Sequence, residues 1–215
     1  MVKLSWKGDF SVATASPAQQ RIHRAALQLF AERGVTQVSV SELAEAAGVA
    51  RGTIYNNLDN PELLFERVAA ELAEDMDERI ASLFSTIEDP ALRLATGIRL
   101  WVRRAHVEPH WGRFLVRFAM GNASLQAVWR GPPVEDLARG IQIGRYLCRS
   151  EQIPSAIAMV AGTVLGAILL VLEGHRTWRD ASADAAEFVL TALGISREEA
   201  RALSEAQMPT LPDQA

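Results

Sequence analysis

The sequence predicts an all-α protein of about nine to ten helices, arranged as a small three-helix domain followed by a larger helical domain. From Pro17 onward, apolar residues recur at three- and four-residue spacing, and no stretch alternates apolar and polar residues as a strand would. Helix signals recur as well, since Ser39 and Glu42 form a capping box and Gly34 and Gly48 follow helical runs. With 215 residues and 49% hydrophobic content, the chain is long enough for both parts.

The three predicted helices of the first part cover residues 17–33, 39–48 and 50–58, and a fourth helix over 61–84 leads into the second part. The fourth carries Leu63, Leu64, Val68 and Leu72, and it follows Asn60-Pro61, an N-cap with proline at the first helical position. We assign residues 1–16 to a flexible N-terminal arm, 17–68 to the first domain and 69–215 to the second.

The predicted helices of the second part cover residues 91–105, 111–118, 134–148 and 153–172, then a strong helix ending at 193 and a short polar helix from 196. Pro109 separates the first two, "RGPP" marks a loop before the third, and Gly194 caps the last strong helix. Residues 153–172 contain no charged residue and reach the length of a membrane span. Ala, Gly, Ser and Thr dilute that hydrophobicity, so we favour a buried or interfacial helix over a membrane anchor.

The composition and the cysteine and glycine patterns limit the classes of function that the protein can have. The net charge is −4, and residues 1–68 carry seven basic and seven acidic residues, so any contact with nucleic acid depends on local placement of charge. A single cysteine, Cys148, excludes an internal disulfide and a cysteine-built metal site, and it suits a reducing cytoplasm. No phosphate-binding glycine loop or nucleophile elbow is present, so we predict neither an enzyme nor a cofactor. His106 and His110 are four residues apart, but Pro109 disrupts their helix, and we predict no metal site.

The segment "SVSELAEAAGVARGTIYNNL" places two short helices around one glycine, the layout of a helix-turn-helix DNA reader. Ala44 and Ala47 are small where the helices cross, and Val49 and Ile54 point inward. The outer face is left with Arg51, Gly52, Thr53, Tyr55, Asn56 and Asn57. Arginine, threonine, tyrosine and asparagine side chains can donate to phosphate oxygens, and asparagine can pair with an adenine edge. The alternative is an ordinary helical corner with a solvated face, although such a face usually carries more Glu and Lys.

Residues 21–68 resemble the TetR family of bacterial transcription regulators, through "RIHRAALQLFAERGVTQVSVSELAEAAGV" and "ARGTIYNNLDNPELLFERV". The resemblance implies a homodimeric, ligand-responsive regulator that acts in the cytoplasm. Such a regulator binds a palindromic operator through its helix-turn-helix. It implies that Ser39 and Ser41 meet the DNA backbone, Thr53 and Asn56 contact bases, Tyr55 and Asn57 contact phosphates, and Arg51 and Gly52 open the recognition helix. For Tyr55, partial burial of the ring is the alternative.

Three positions depart from the family pattern: Ala50 replaces a serine, Leu58 an aromatic residue and Pro61 a lysine. Loss of a side-chain cap at position 50 lowers the stability of the helix by about 1 kcal/mol. Together with the neutral first domain, these departures predict a weaker non-specific DNA affinity and a shallower salt dependence than a basic relative would show. The alternative function is a helical small-molecule-binding or scaffold dimer that no longer binds DNA.

The second part offers candidate dimer and ligand surfaces, and plain core packing is the alternative for both. The family resemblance implies that the last two strong helices pair across a dimer; the candidate residues are Ala158, Gly162, Gly166, Ala185, Phe188 and Val189. Aromatic and basic residues of the central helices are candidates for binding a small organic effector: Trp101, Arg104, His106, His110, Trp111, Phe114, Arg117, Phe118 and Trp129.

Overall fold

The fold is helical throughout the residues that the computed structural model describes, which are 16–58, 60–84 and 87–208. Their eleven α-helices are α1 Pro17–Arg33, α2 Val40–Ala47, α3 Arg51–Asn57, α4 Leu64–Phe84, α5 Pro90–Val107, α6 Pro109–Phe118, α7 Ala123–Arg130, α8 Pro132–Gln142, α9 Ile153–Leu172, α10 Trp178–Ala192 and α11 Arg197–Glu205. Short 3₁₀ turns cover Pro61–Leu63 and Ser150–Gln152. The all-α prediction is confirmed, whereas the predicted arm lies outside the described residues except for Ser16.

The first compact unit ends at Phe65 and contains α1 to α3. Ser16 caps α1 through a capping box with Gln19, and Gly34 ends the helix with a φ of 69°. Ile22 and Ile54 are fully buried, and the rings of Phe30 and Phe65 meet edge to face at 5.2 Å. This small core fixes the angle at which α2 and α3 cross.

The second compact unit runs from Glu66 and is built around α5, which packs against α6, α8, α9, α10 and α11. The turn between α5 and α6 is tight because Gly112 lets α6 approach closely. A Cβ at position 112 would lie 2.8 Å from the Cβ of Ala105. The two helices that carry all the candidate effector residues except Trp129 are therefore held as a hairpin.

The apolar helix α9 is long and apolar enough to cross a membrane by length and composition alone. In the structure it contacts α5, α6 and α10, and Val160, Val164 and Ile168 are buried. These contacts favour the interpretation of α9 as a helix of the protein core with one exposed side.

Two helix starts differ from the prediction. The α-helix proper begins at Leu64, because Pro61 opens a 3₁₀ turn in which the Asn60 side chain accepts from the Glu62 amide at 3.0 Å. Leu63 is consequently 51% exposed and does not join the core. In "RGPP" only Gly131 is non-helical. Helix α8 begins directly at Pro132, since proline suits the first helical turn.

Two further segments of the second unit were also predicted incorrectly. The helix predicted over 134–148 ends at Gln142, because Gly144 adopts a left-handed φ of 72°. The short helix α7 was missed altogether. Its N-cap is Asn122, whose side chain accepts from the Leu125 amide at 3.0 Å, and buried Leu125 and Trp129 lie four residues apart, so a helix signal was present in the sequence.

Candidate nucleic-acid interface and effector site

The turn between α2 and α3 has the compact form that a helix-turn-helix requires. Gly48 is left-handed, with a φ of 62°, and its amide donates to the Glu45 carbonyl at 3.1 Å. The Val49 amide donates to the Ala44 carbonyl at 3.0 Å, so the last carbonyls of α2 are satisfied. The chain can therefore leave α2 and start α3 within three residues.

The front of α2 is organised by Ser39, and its hydroxyl is already engaged within the chain. The Ser39 hydroxyl accepts from the Glu42 amide at 3.2 Å and donates to a Glu42 carboxylate oxygen at 2.7 Å. Arg33 donates to the other carboxylate oxygen at 2.5 Å. Ser41 is half-buried. The two serines predicted to meet the DNA backbone thus differ, since Ser39 also has a structural role as the helix cap.

The Glu42 carboxylate is expected to make the first unit acid-sensitive. Hydrogen bonds from Ser39, and then from Arg33, lower its pKa from the ordinary 4.5 to about 2. A folded-state pKa below the unfolded one stabilises the fold above pH 4.5, and the contribution is lost as the pH falls towards 2. Carbon-13 NMR titration of this carboxyl group should give a midpoint near 2, and Ser39→Ala should raise it. A midpoint near 4.5 in the unmodified protein would contradict the capping box.

The recognition helix α3 presents most of its predicted contact residues to solvent. Arg51, Gly52 and Asn56 are exposed, Thr53 is half-buried, and Tyr55 is 62% exposed. A Cβ at position 52 would meet no atom within 4 Å, so packing within the chain does not require glycine there. The exposure of Tyr55 favours an outward role over the alternative of a packed ring.

Asn57 faces inward, unlike its neighbour Asn56. Its amide nitrogen donates to the Thr53 carbonyl at 2.7 Å, and its amide oxygen accepts from the Ser16 hydroxyl at 3.4 Å. Asn57 is half-buried and joins the end of α3 to the start of α1. These hydrogen bonds argue against the predicted phosphate contact, because a side chain held on both polar atoms is a poor phosphate donor.

The N-cap of α3 is Ala50, which makes no side-chain hydrogen bond, as the sequence predicts. Ala50→Ser should therefore stabilise the fold by about 1 kcal/mol, because its hydroxyl can accept from an exposed amide of the first turn. Urea unfolding of the full-length protein measures the effect. The control Ala46→Ser, at an exposed site inside α2, should lower stability by a few tenths of a kcal/mol. Equal effects at the two sites would contradict the capping argument.

Three of the predicted effector residues form one buried aromatic cluster, which we call the tryptophan cluster: Trp101 of α5, Trp111 of α6 and Trp129 of α7. Trp101 stacks on Trp129 with ring centroids 4.9 Å apart, and Trp111 lies tilted at 5.3 Å from Trp101. The three side chains are 6%, 1% and 7% exposed. Each of the three helices contributes one indole side chain to the cluster.

Arg104 joins the tryptophan cluster, with its guanidinium 4.4 Å from the centroid of the Trp111 ring. Its charge is balanced by Asp75 at 2.6 Å and by Glu108 at 3.3 Å. Sequence reasoning missed both carboxylates. The spacing of four residues between Arg104 and Glu108 could have indicated one of them, whereas Asp75 comes from α4.

Of the remaining residues predicted to bind an effector, some lie away from the tryptophan cluster. Phe114 is fully buried and pairs with half-buried Phe118 at 5.1 Å. His106 is exposed and stacks on Trp178 of α10 at 6.3 Å. His110 is half-buried and Arg117 is exposed. Within the described part of the chain, no group of three His, Cys, Asp or Glu residues is placed to hold a metal ion.

The dimer candidates divide into an exposed set and a buried set. Ala158, Gly162 and Gly166 form an exposed strip along α9, and Phe188 of α10 is 65% exposed. The other two, Ala185 and Val189, are 3% and 1% exposed. These two pack inside the chain because α10 lies against α5 and α9. We leave them out of the candidate interface.

Comparison with known proteins adds evidence for both halves of the chain. A family model for bacterial regulatory proteins of the tetR family matches residues 22–68, and one for the tetracyclin repressor-like C-terminal domain matches residues 89–205. The HTH-type transcriptional regulator AcrR of Shigella flexneri is 41% identical over 54 residues, a quarter of each protein. The HTH-type transcriptional repressor DhaR of Mycobacterium sp. (strain GP1) is 28% identical over 78 residues, 36% of this chain and 39% of that protein. The chain thus spans less than half the length of these curated relatives.

Solved structures match over most of the chain. RolR in complex with resorcinol has a TM-score of 0.68 and 26% identity, covering 91% of this chain and 96% of that one. FadR from Bacillus subtilis in complex with stearoyl-CoA has a TM-score of 0.65 and 23% identity, covering 82% and 99%. At that lower identity the second match shows the fold alone.

Proposed function

Because the chain belongs to the TetR family of bacterial transcriptional regulators, we propose that it is a ligand-responsive repressor that binds a palindromic operator as a homodimer. The observation that carries this proposal is the exposed polar face of α3 in a helix-turn-helix that matches the family. The matching family model describes bacterial regulatory proteins, and the matching relatives are transcriptional regulators rather than enzymes. The alternative of a helical dimer without DNA binding receives no support from these matches.

The DNA-reading role rests on the outward residues of α3. In this proposal Thr53 and Asn56 contact base edges in the major groove, where asparagine pairs with adenine. Arg51 and Tyr55 donate to phosphates, and Gly52 lets the backbone approach the duplex. Of the two serines at the start of α2, Ser41 is the freer to meet a phosphate, because the Ser39 hydroxyl is engaged with Glu42.

The homodimer rests on the exposed strip of α9. Ala158, Gly162 and Gly166 recur every four residues, which puts them on one side of the helix, and Leu169 and Leu170 extend that side at 45% and 42% exposure. Contiguous exposed apolar surface is typical of an interaction site. A second copy of α9 can approach closely along the small residues, while Phe188 supplies a large apolar anchor on α10.

The effector is a small organic molecule bound in the second unit, beside the tryptophan cluster. RolR was solved with resorcinol and FadR with stearoyl-CoA, so structures of this fold accommodate small molecules of different chemistry. A ligand shifts an equilibrium between two dimer shapes only by its difference in affinity for them. A coupling of about 1–3 kcal/mol would change operator affinity about 5- to 150-fold. Such a protein acts in the cytoplasm, where the DNA is.

Selection of binding sites from random duplex DNA tests the function. Purified full-length protein should enrich a palindrome whose half-sites lie about one helical turn apart. Arg51→Ala should weaken binding across all sequences and reduce the slope of log affinity against log salt by about 1. Failure to enrich any sequence, even at low salt, would contradict the DNA-binding function of the unliganded protein.

A further inference from the structure

The indole nitrogen of Trp111 is a buried donor with no acceptor. Trp111 is 1% exposed, and among residues 16–58, 60–84 and 87–208 its Nε1 atom has no hydrogen-bond partner. Tryptophan N–H groups usually find a partner when they are buried. Leaving such a donor unpaired is unfavourable, and an acceptor atom of a bound ligand would recover the lost hydrogen bond.

The surroundings of this donor are planar and aromatic. Trp101 and Trp129 stack with their rings 29° from parallel, and Trp101 in turn lies 5.3 Å from Trp111. Aromatic groups pair best in offset-stacked or edge-to-face geometry, so a flat ring suits these indole neighbours better than a flexible chain does. An acceptor atom on a planar ring system would match both the aromatic surroundings and the unpaired N–H.

The charges around the tryptophan cluster select against ionic ligands. Arg104 is the cationic group of the cluster, and Asp75 and Glu108 already balance it, so the trio has a net charge of −1. A carboxylate ligand would have to compete with these two carboxylates for the Arg104 guanidinium. A cationic ligand would meet Arg104, whose guanidinium already covers a face of Trp111.

We propose that the tryptophan cluster binds an uncharged, planar aromatic effector whose acceptor atom takes the hydrogen bond of Trp111 Nε1. This inference rests on the proposed ligand-responsive function and names the chemical class of its ligand. It separates this chain from regulators of anionic ligands such as acyl-CoA, because no uncommitted cation lies in the cluster as the structure describes it.

Matched fragment pairs test the class directly. Acetophenone and quinoline carry an acceptor, whereas ethylbenzene and naphthalene have similar shapes without one. In protein labelled with nitrogen-15 at its five tryptophans, the acceptor fragments should move the Trp111 indole N–H signal downfield, with Trp178 as the internal reference. If neither acceptor fragment moves that signal at millimolar concentration, the proposal is overturned.

An isosteric variant separates the hydrogen bond from packing. Full-length protein with 3-benzothienylalanine at position 111 keeps the ring shape but replaces the N–H with sulfur. Its dissociation constant for acetophenone should rise about tenfold, and that for ethylbenzene less than about twofold. The same replacement at position 178 should change neither constant. An equal loss for both fragments at position 111 would refute the hydrogen bond.

The outcome is independent of the DNA-binding experiment. Neither the N–H signal nor the fragment dissociation constants requires an operator, so the site is established or refuted even if no palindrome is enriched. Conversely, acetophenone bound at Trp111 without any change in operator affinity would confirm the ligand class of the site and contradict the ligand-responsive part of the function.

Discussion

Replacing Gly162 with arginine is expected to convert the proposed homodimer into a folded monomer that binds the operator at least about 100-fold more weakly. Gly162 lies in the middle of the exposed strip on α9, and a Cβ there would meet no atom of the chain within 4 Å. Arginine is also a better helix former than glycine, so α9 itself should gain stability. A long charged side chain prevents a second α9 from packing closely against the first.

The loss of operator affinity follows from the loss of the second half-site. A dimer binds two half-sites with one association step, and this linkage contributes about 10²- to 10⁴-fold to overall affinity. Sedimentation measures the oligomeric state, and circular dichroism reports whether helix content is retained.

The matched control is Ala202→Arg, an exposed position on α11 where the same charge is added away from the strip. This variant should remain dimeric and bind the operator like the unmodified protein. A dimeric Gly162→Arg variant would show that the strip packs elsewhere, and the homodimer would then have to use another surface.

The helix-turn-helix could be predicted from sequence because its determinants are local. Ser39 and Glu42 are three residues apart, and Gly48 ends α2 by its own backbone conformation. The lack of a side-chain cap at Ala50 could also be predicted from the sequence, since capping depends on the residue type at a single position. Within a turn or two of helix, residue type and spacing determine the structure.

Longer-range contacts could not be predicted in this way. The inward position of Asn57 depends on Ser16, 41 residues earlier, and the balanced charge of Arg104 depends on Asp75 from another helix. The burial of Ala185 and Val189 follows from how α10 packs, since an apolar stripe does not say whether its partner is the same chain or another. These features are set by tertiary packing, for which a single sequence carries no direct signal.

The two adjacent asparagines of α3 should respond in opposite ways to removal of their side chains. Asn56→Ala should lower operator affinity by at least about tenfold, because a bidentate asparagine–adenine pair contributes about 1–3 kcal/mol of base discrimination. Its effect on unfolding should stay within about 0.5 kcal/mol, since Asn56 is exposed.

Asn57→Ala should instead lower the free energy of unfolding by about 1 kcal/mol, because it removes the hydrogen bonds to Thr53 and Ser16. Operator affinity should fall by less than for Asn56→Ala once the measurement is made well below the unfolding midpoint. Fluorescence anisotropy on the selected operator and urea unfolding measure the two effects on the same preparations. The variants serve as controls for each other, since they remove the same side chain one residue apart. If both lower affinity equally without changing stability, Asn57 contacts DNA after all, and its inward hydrogen bonds are exchanged for phosphate contacts when the operator binds.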